Sequence, residues 1–344
     1  MKKLLSALLF LALFCAHAVN VGFSVSNPSE TAGQRVVRVG IPLPQGTCRD
    51  TAKFGVFSGK QQLPAQFAVL SRYPDNSLRW VSADFKAPLN GSALQKFSLD
   101  TAAGKTLCAG DISLRETPDS YFIDSGKGKF VIGRKKFFFS PANGKSLELY
   151  FRNADGELFT ASNGVLESSK ITANGKLRTS FRLEGWFASA GGEKFCRYIL
   201  YLDFTSGSST VKTAFSFIIT GEKDKARFSE ISLAVPGSYR QGSIGGVEGN
   251  AVGKYLLHYA YDKYLVGKLS APSGYPDNPD GKSAPGWIRA GNTAVFVEDF
   301  KENFPSELTL KSDAVICSLW PAHGVANPQR KVNEANRQIG RAHV

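Results

Sequence analysis

Polar and apolar side chains alternate with a period of two along most of this chain, the pattern of half-buried β-strands. It begins at Val19–Val25 and at Gln34–Ile41 (QRVVRVGI) and is broken by the turn cluster Pro42 to Gly46. The clearest local signal is LPAQFAVLSRYPDNSLRWVSADF, Leu63 to Phe85. Two runs, Gln66–Tyr73 and Leu78–Phe85, are rich in the Val, Phe, Tyr, Trp and Leu that suit a pleated surface. They flank Pro74, Asp75, Asn76 and Ser77, where proline presets φ and Asp or Asn tolerates left-handed geometry. The reading is a core hairpin of a small barrel, with Arg79 and Trp80 on opposite faces. With short strands at Phe54–Ser58 and Leu94–Leu99, this makes one small all-β unit, followed by a linker over Thr101–Asp111.

Strands resume at Ile112–Leu114, Tyr121–Asp124, Lys129–Ile132 and Lys136–Phe139. Leu147–Arg152 and Glu157–Thr160 flank Asn153-Ala154-Asp155-Gly156, a strong hairpin signal. Further strands are expected at Leu177–Trp186, Phe195–Phe204, Ser209–Thr220, Phe228–Val235 and Leu308–Trp320. In one of them Tyr198, Leu200 and Leu202 alternate with Ile199, Tyr201 and Asp203. Both faces of that strand are largely apolar, which places it in the middle of a packed sandwich. Val297–Asn303 is expected to form one or two helical turns ended by Pro305, and Asn333–Arg337 to begin a helix.

The two ends change how the middle is interpreted. Lys2 and Lys3, an apolar run from Leu4 to Cys15 and the A-x-A site Ala16-His17-Ala18 predict a signal peptide over residues 1–18, cleaved after Ala18. No second apolar stretch of membrane-spanning length follows, so a soluble secreted or periplasmic protein is expected. Ile339 to Val344 (IGRAHV) translate the opening of a widely used short-read sequencing adapter, and residues 339–344 are therefore read as an artefact. Natural sequence is then expected to end near Gln338, as the front part of a longer protein.

The formal net charge is +13, three units of which come from Lys2, Lys3 and Arg341. In an exported chain this excess suits an anionic polysaccharide or a membrane surface, and the absence of any nucleic-acid-binding motif argues against nucleic acid. Export also opens disulfide chemistry. Cys48 and Cys108, in polar settings that bracket the first unit, are the pair a disulfide can join. Cys196 and Cys317 lie in strand-like runs and read as buried apolar residues.

Chemistry-bearing motifs are few. The loop Gly242–Gly253 (GSIGGVEGNAVG) lacks the spacing and the Ser/Thr of a phosphate-binding loop and reads as a flexible loop. Asp277, Asn278 and Asp280 fail the EF-hand pattern because Pro279 falls on a ligand position, so a turn-rich surface loop is expected there. No C-x-x-C and no G-x-S-x-G occurs, so no metal site and no catalytic residue is assigned, and no cofactor is named. The histidines to consider are His258 and His323. Trp320 and His323, in Trp320-Pro321-Ala322-His323-Gly324 directly after a strand, are the candidate substrate-binding residues, since such a rim can stack on a sugar ring.

Several phrases resemble one family. IPLPQG at Ile41–Gly46, LPAQF at Leu63–Phe67 and RYPDNSLRWV at Arg72–Val81 resemble the first domain of the PcRGLX/YetA-like, exo-rhamnogalacturonan lyase-like proteins. Phe296–Phe300, Phe304–Leu308 and Leu319–Pro321 resemble the later part of that family's second domain. The resemblance implies an all-β chain: a RIFT-type β-barrel over residues 19–104, then a large central β-sandwich over 111–312. Residues 313–338 would end the sandwich and begin a C-terminal α/α-toroid that is missing by truncation. It also implies cleavage of the pectin backbone rhamnogalacturonan by β-elimination, with the catalytic groups in the toroid. The chain given is therefore expected to be the non-catalytic N-terminal part of a polysaccharide lyase-like protein and inactive alone. The alternative is a complete exported β-rich glycan-binding or surface protein without catalysis.

Overall fold

In the computed structural model, residues 18–27, 31–91, 94–142, 144–220, 227–270, 283–324 and 342–343 are described. The leader run, the 275–281 loop, the expected helix over 333–337 and most of the 339–344 segment lie outside them. The chain divides into two compact units, Met1–Gly110 and Asp111–Val344. Among the described residues the secondary structure is β-strand apart from one short 3₁₀ turn, Ala322–Gly324, and no helix is long and apolar enough to cross a membrane.

The first unit pairs a four-stranded and a three-stranded antiparallel sheet. The smaller sheet carries the expected hairpin: Ala65–Arg72 and Leu78–Leu89, with Gly33–Pro42 on the other side of the long strand. The turn is built as its residues dictate. Asn76 takes φ of +65°, and the Asp75 carboxylate accepts from the Ser77 amide at 3.0 Å and the Ser77 hydroxyl at 2.6 Å. Odd-numbered side chains of the long strand, Val81, Ala83, Phe85 and Ala87, are fully buried among Ile41, Val56, Phe97 and Leu99. Arg79 and Trp80 both end up exposed, between the buried Leu78 and Val81, where irregular pairing around Ser71 breaks the alternation.

The second unit is dominated by a twelve-stranded sheet. One half packs against a smaller sheet of Ser113–Glu116, Ser120–Asp124, Lys129–Gly133 and Phe139–Pro141, forming a β-sandwich. Its core is aromatic. The Phe151 ring lies parallel to Phe159 at 4.8 Å and meets the edges of Phe187, Phe217 and Phe228 at 5.3 to 5.5 Å. The other half, built on Lys254–Ala260, Ser306–Leu310 and Ala314–Trp320, shares a second core with the small sheet Gly242–Ile244, Trp287–Ala290 and Thr293–Phe296. Ala342–His343 pairs along Val211–Ile218.

Three local expectations change. Val297–Asn303 forms turns and no helix: Asp299 sits at φ +52°, a left-handed conformation that a right-handed helix does not accept. The glycine-rich loop is pinned by Asn250, whose side chain accepts from the amides of Gly242 and Val252 and donates to the Arg240 carbonyl. The strand carrying Tyr198 has one face buried and one half-open, with Tyr201 38% exposed, so the sandwich is covered on one side only.

Candidate functional site

Ser306–Leu310 is buried along its whole length, so any polar side chain on it must find partners. Leu308 and Leu310 point into the second core, and the alternation therefore sends Glu307 and Thr309 to the opposite face. Glu307 is 3% exposed. Its register partners on that face are Leu257 on one side and Ser318 on the other. Ser318 stands next to Ser232, and Ser232 next to Tyr150, so a polar row crosses four neighbouring strands.

Two carboxylates organise this row. Glu307 accepts from Thr309 Oγ1 at 2.6 Å, and both of its oxygens lie within 3.0 Å of His323 Nδ1. Glu230 accepts from the Tyr150 hydroxyl at 2.6 Å and the Ser232 hydroxyl at 2.9 Å, with Arg152 Nε 3.4 Å away. Ser232 Oγ is also 2.8 Å from Ser318 Oγ. With Lys311, Leu269 and Ile316 these groups, apart from the fully buried Ser232, line a cleft of about 210 Å³.

His323 is delivered by the 3₁₀ turn Ala322–Gly324, which follows Trp320 and Pro321 and folds back over the row. Its ring is stacked on Tyr255, centroids 3.9 Å apart and planes 3° from parallel. The hydrogen bond to Glu307 favours the imidazolium and raises the His323 pKa, against the partial burial that opposes it. The chemical capacity is that of an imidazole oriented by a carboxylate, able to hold or pass a proton, beside a second carboxylate clamped by a phenol and a guanidinium. Burial, and then the charge of Glu230, push the Tyr150 phenol far above its ordinary range, so it stays a donor.

Of the sequence candidates, His323 lines this cleft and Trp320 does not. Trp320 packs against the sandwich core, its indole Nε1 buried without a hydrogen-bond partner. His258 is fully buried elsewhere: Nε2 accepts from the Ala284 amide at 3.1 Å and Nδ1 lies 3.0 Å from the Ala260 carbonyl oxygen. Desolvation lowers its pKa, which fits a neutral structural histidine. Cys48 and Cys108 are both free thiols, so the structure does not join them, and Cys196 and Cys317 are buried. No group of three or more metal-ligating side chains occurs among the described residues. Tyr150, Arg152, Glu230 and Glu307 were missed in the sequence. Glu307 leaves a trace there, as the lone charge in the strand SELTL, Ser306–Leu310.

No curated protein matches the sequence. A protein in the glycosyl hydrolase family 38 from Enterococcus faecalis aligns in structure over 87% of this chain at 10% identity, with a TM-score of 0.46. The chain spans 40% of that protein's length. Residues 24–97, which hold the hairpin and the apolar core of the first unit, match the family model described as the PcRGLX-like N-terminal RIFT barrel domain, and in this unit the chain is similar to that family.

Proposed function

We propose that this chain is the non-catalytic N-terminal part of an exported polysaccharide lyase-like protein that acts on pectin-type rhamnogalacturonan by β-elimination. The observation that carries the reading is the match of residues 24–97 to the PcRGLX-like RIFT barrel domain. The leader-like start and the net charge of +10 that remains of the formal +13 without Lys2, Lys3 and Arg341 (13 − 3) support an extracellular encounter with an anionic glycan. β-Elimination takes the proton α to the uronate carboxylate and needs a cation or hydrogen-bond donors on the resulting enolate. The His323–Glu307 pair is of the right chemical type to handle a proton, but it is embedded in a cleft of about 210 Å³, tight for a polymer. It is given no part in cleavage.

The test is an assay of the parent protein and of this chain on rhamnogalacturonan, following unsaturated uronate products by ultraviolet absorbance. The parent is expected to release them and this chain alone to release none. A parent that leaves rhamnogalacturonan intact overturns the lyase reading, and product from this chain alone overturns the non-catalytic one.

A further inference from the structure

The outer face of the sandwich carries a row of aromatic rings interleaved with charged couples. Phe181, Leu183, Tyr198, Leu200, Phe215 and Phe217 point into the core, so the alternating residues of the same three strands point out. Register aligns Arg182 with Tyr201 and Ala214, Glu184 with Ile199 and Ser216, and Trp186 with Arg197 and Ile218. Each outward ring has a guanidinium against it: Arg182 over Tyr201 at 5.8 Å and Arg197 over Trp186 at 5.4 Å. Each guanidinium also has a carboxylate. Arg182 pairs with Glu184, and Arg197 with Glu167, which accepts from Trp186 Nε1 at 2.7 Å.

A half-exposed sheet face of this size needs an occupant or a reason to stay open. Tyr201 is 38% and Ile218 37% exposed, and the small side chains of Ala214 and Ser216 leave the surface low beside Tyr201. Arg197, at the Trp186 end of the row, is held by its pairing with Glu167 and by the Trp186 ring, so its guanidinium is fixed in place on this face. Lys170 stands opposite Arg182 on the same face, giving three cations, Lys170, Arg182 and Arg197, against the two carboxylates Glu167 and Glu184. The row from Trp186 to Tyr201 covers four residue steps along the strand, about 13 Å, the span of a short oligosaccharide.

We propose that this face, around Tyr201, Trp186, Arg182 and Arg197, is a binding surface for an acidic glycan segment. Sugar rings stack their C–H faces on Tyr201 and Trp186. The arginine–glutamate couples take hydroxyl pairs, and Lys170, the cation left without a carboxylate in this count, takes a uronate carboxylate as a point charge. The assignment rests on the polysaccharide reading above and adds where on the second unit the polymer lies.

The experiment is titration of the full chain with oligogalacturonides, and with neutral galactan oligosaccharides as the control, by calorimetry and by Trp fluorescence. Wild type, Tyr201→Ala and Arg182→Gln are compared, with thermal melts to check folding. Oligogalacturonide binding is expected to weaken about tenfold in each variant at unchanged melting temperature, and to weaken in high salt. Equal binding by wild type and both variants overturns this surface and leaves the polysaccharide reading intact. No binding of either oligosaccharide by folded wild type also overturns this surface, while the polysaccharide reading stands or falls on the parent's activity on rhamnogalacturonan. A self-associated wild type that Tyr201→Ala converts to monomer, with no change in glycan binding, makes the face a contact between copies and overturns the proposal.

Discussion

His323 lies flat on Tyr255, ring centroids 3.9 Å apart, while its Nδ1 faces both oxygens of Glu307. Stacking holds the plane of the imidazole and the carboxylate holds its rotation, so a residue on a three-residue turn is fixed from two directions. A buried carboxylate that lost this partner would keep only Thr309 on one oxygen.

That geometry has a pH signature. The folded-state pKa of His323 is raised, chiefly by the hydrogen bond to Glu307. Its stabilising contribution is therefore complete below the unfolded histidine value, about 6.5, and fades as pH rises through the higher folded value. Urea denaturation at a series of pH values should show stability falling over this window in wild type. In His323→Gln the fall should be flatter, with a loss of about 1–3 kcal/mol at acid pH. An unchanged slope would mean that the pair is not charged in the folded protein.

The aromatic core offers two opposite outcomes. Phe151, fully buried and touching Phe159, Phe187, Phe217 and Phe228, should cost about 3–5 kcal/mol when replaced by Ala. Tyr198 has a buried hydroxyl without a hydrogen-bond partner. Removing it in Tyr198→Phe should leave stability unchanged or raise it by about 1 kcal/mol. Chemical denaturation of both variants beside wild type reads the two signs, and a large loss in Tyr198→Phe would reveal a partner for that hydroxyl.

The hairpin turn tests backbone geometry. Asn76 at φ +65° occupies the left-handed region, where a β-branched side chain is strained. Asn76→Gly should melt close to wild type and Asn76→Val about 1–2 kcal/mol less stable. Equal melting of the two would mean that the turn relaxes to another form.

Thiol accessibility should follow depth. Without reductant, maleimide is expected to label Cys108, which is exposed, ahead of Cys48, whose thiol is half-buried and pushed up in pKa by burial and then by Asp50. Cys196 and Cys317, their thiols pushed up by burial to about 11 and about 12, should react only after unfolding. Mass spectrometry of the intact and digested chain counts the labels. Protection of Cys48 and Cys108 together, lifted by reductant, would instead indicate the disulfide between them.

The hairpin and the all-β character were legible because their signals are local: Asp75 and Asn76 encode the turn, and alternation over Leu78–Phe85 encodes the buried face. Leu166–Ala173 escaped notice because its polar residues Ser168, Ser169 and Lys170 mask a strand held by pairing to its neighbour. The strands Lys254–Ala260, Lys263–Lys268, Trp287–Ala290 and Thr293–Phe296 were hidden because runs this short show too little alternation to stand out. The cleft was least legible. Tyr150, Glu230, Glu307 and His323 are separated by long stretches of sequence, and only strand order brings them together. His323 drew attention through its aromatic neighbours, and of the two candidates Trp320 was the one spent on packing.

The polar row across the big sheet also acts as a proofreader of assembly. Glu307 and Leu308 are consecutive, one facing the cleft and the other the second core. A one-residue slip of this strand would exchange them, driving a carboxylate into an apolar interior and a leucine among charges. Glu230, beside Ile231 of the sandwich core, imposes the same condition one strand further along from Ala314–Trp320. Misregistered sheets are thus rejected by desolvation, and the residues that furnish the cleft also ensure that it is built from the right neighbours.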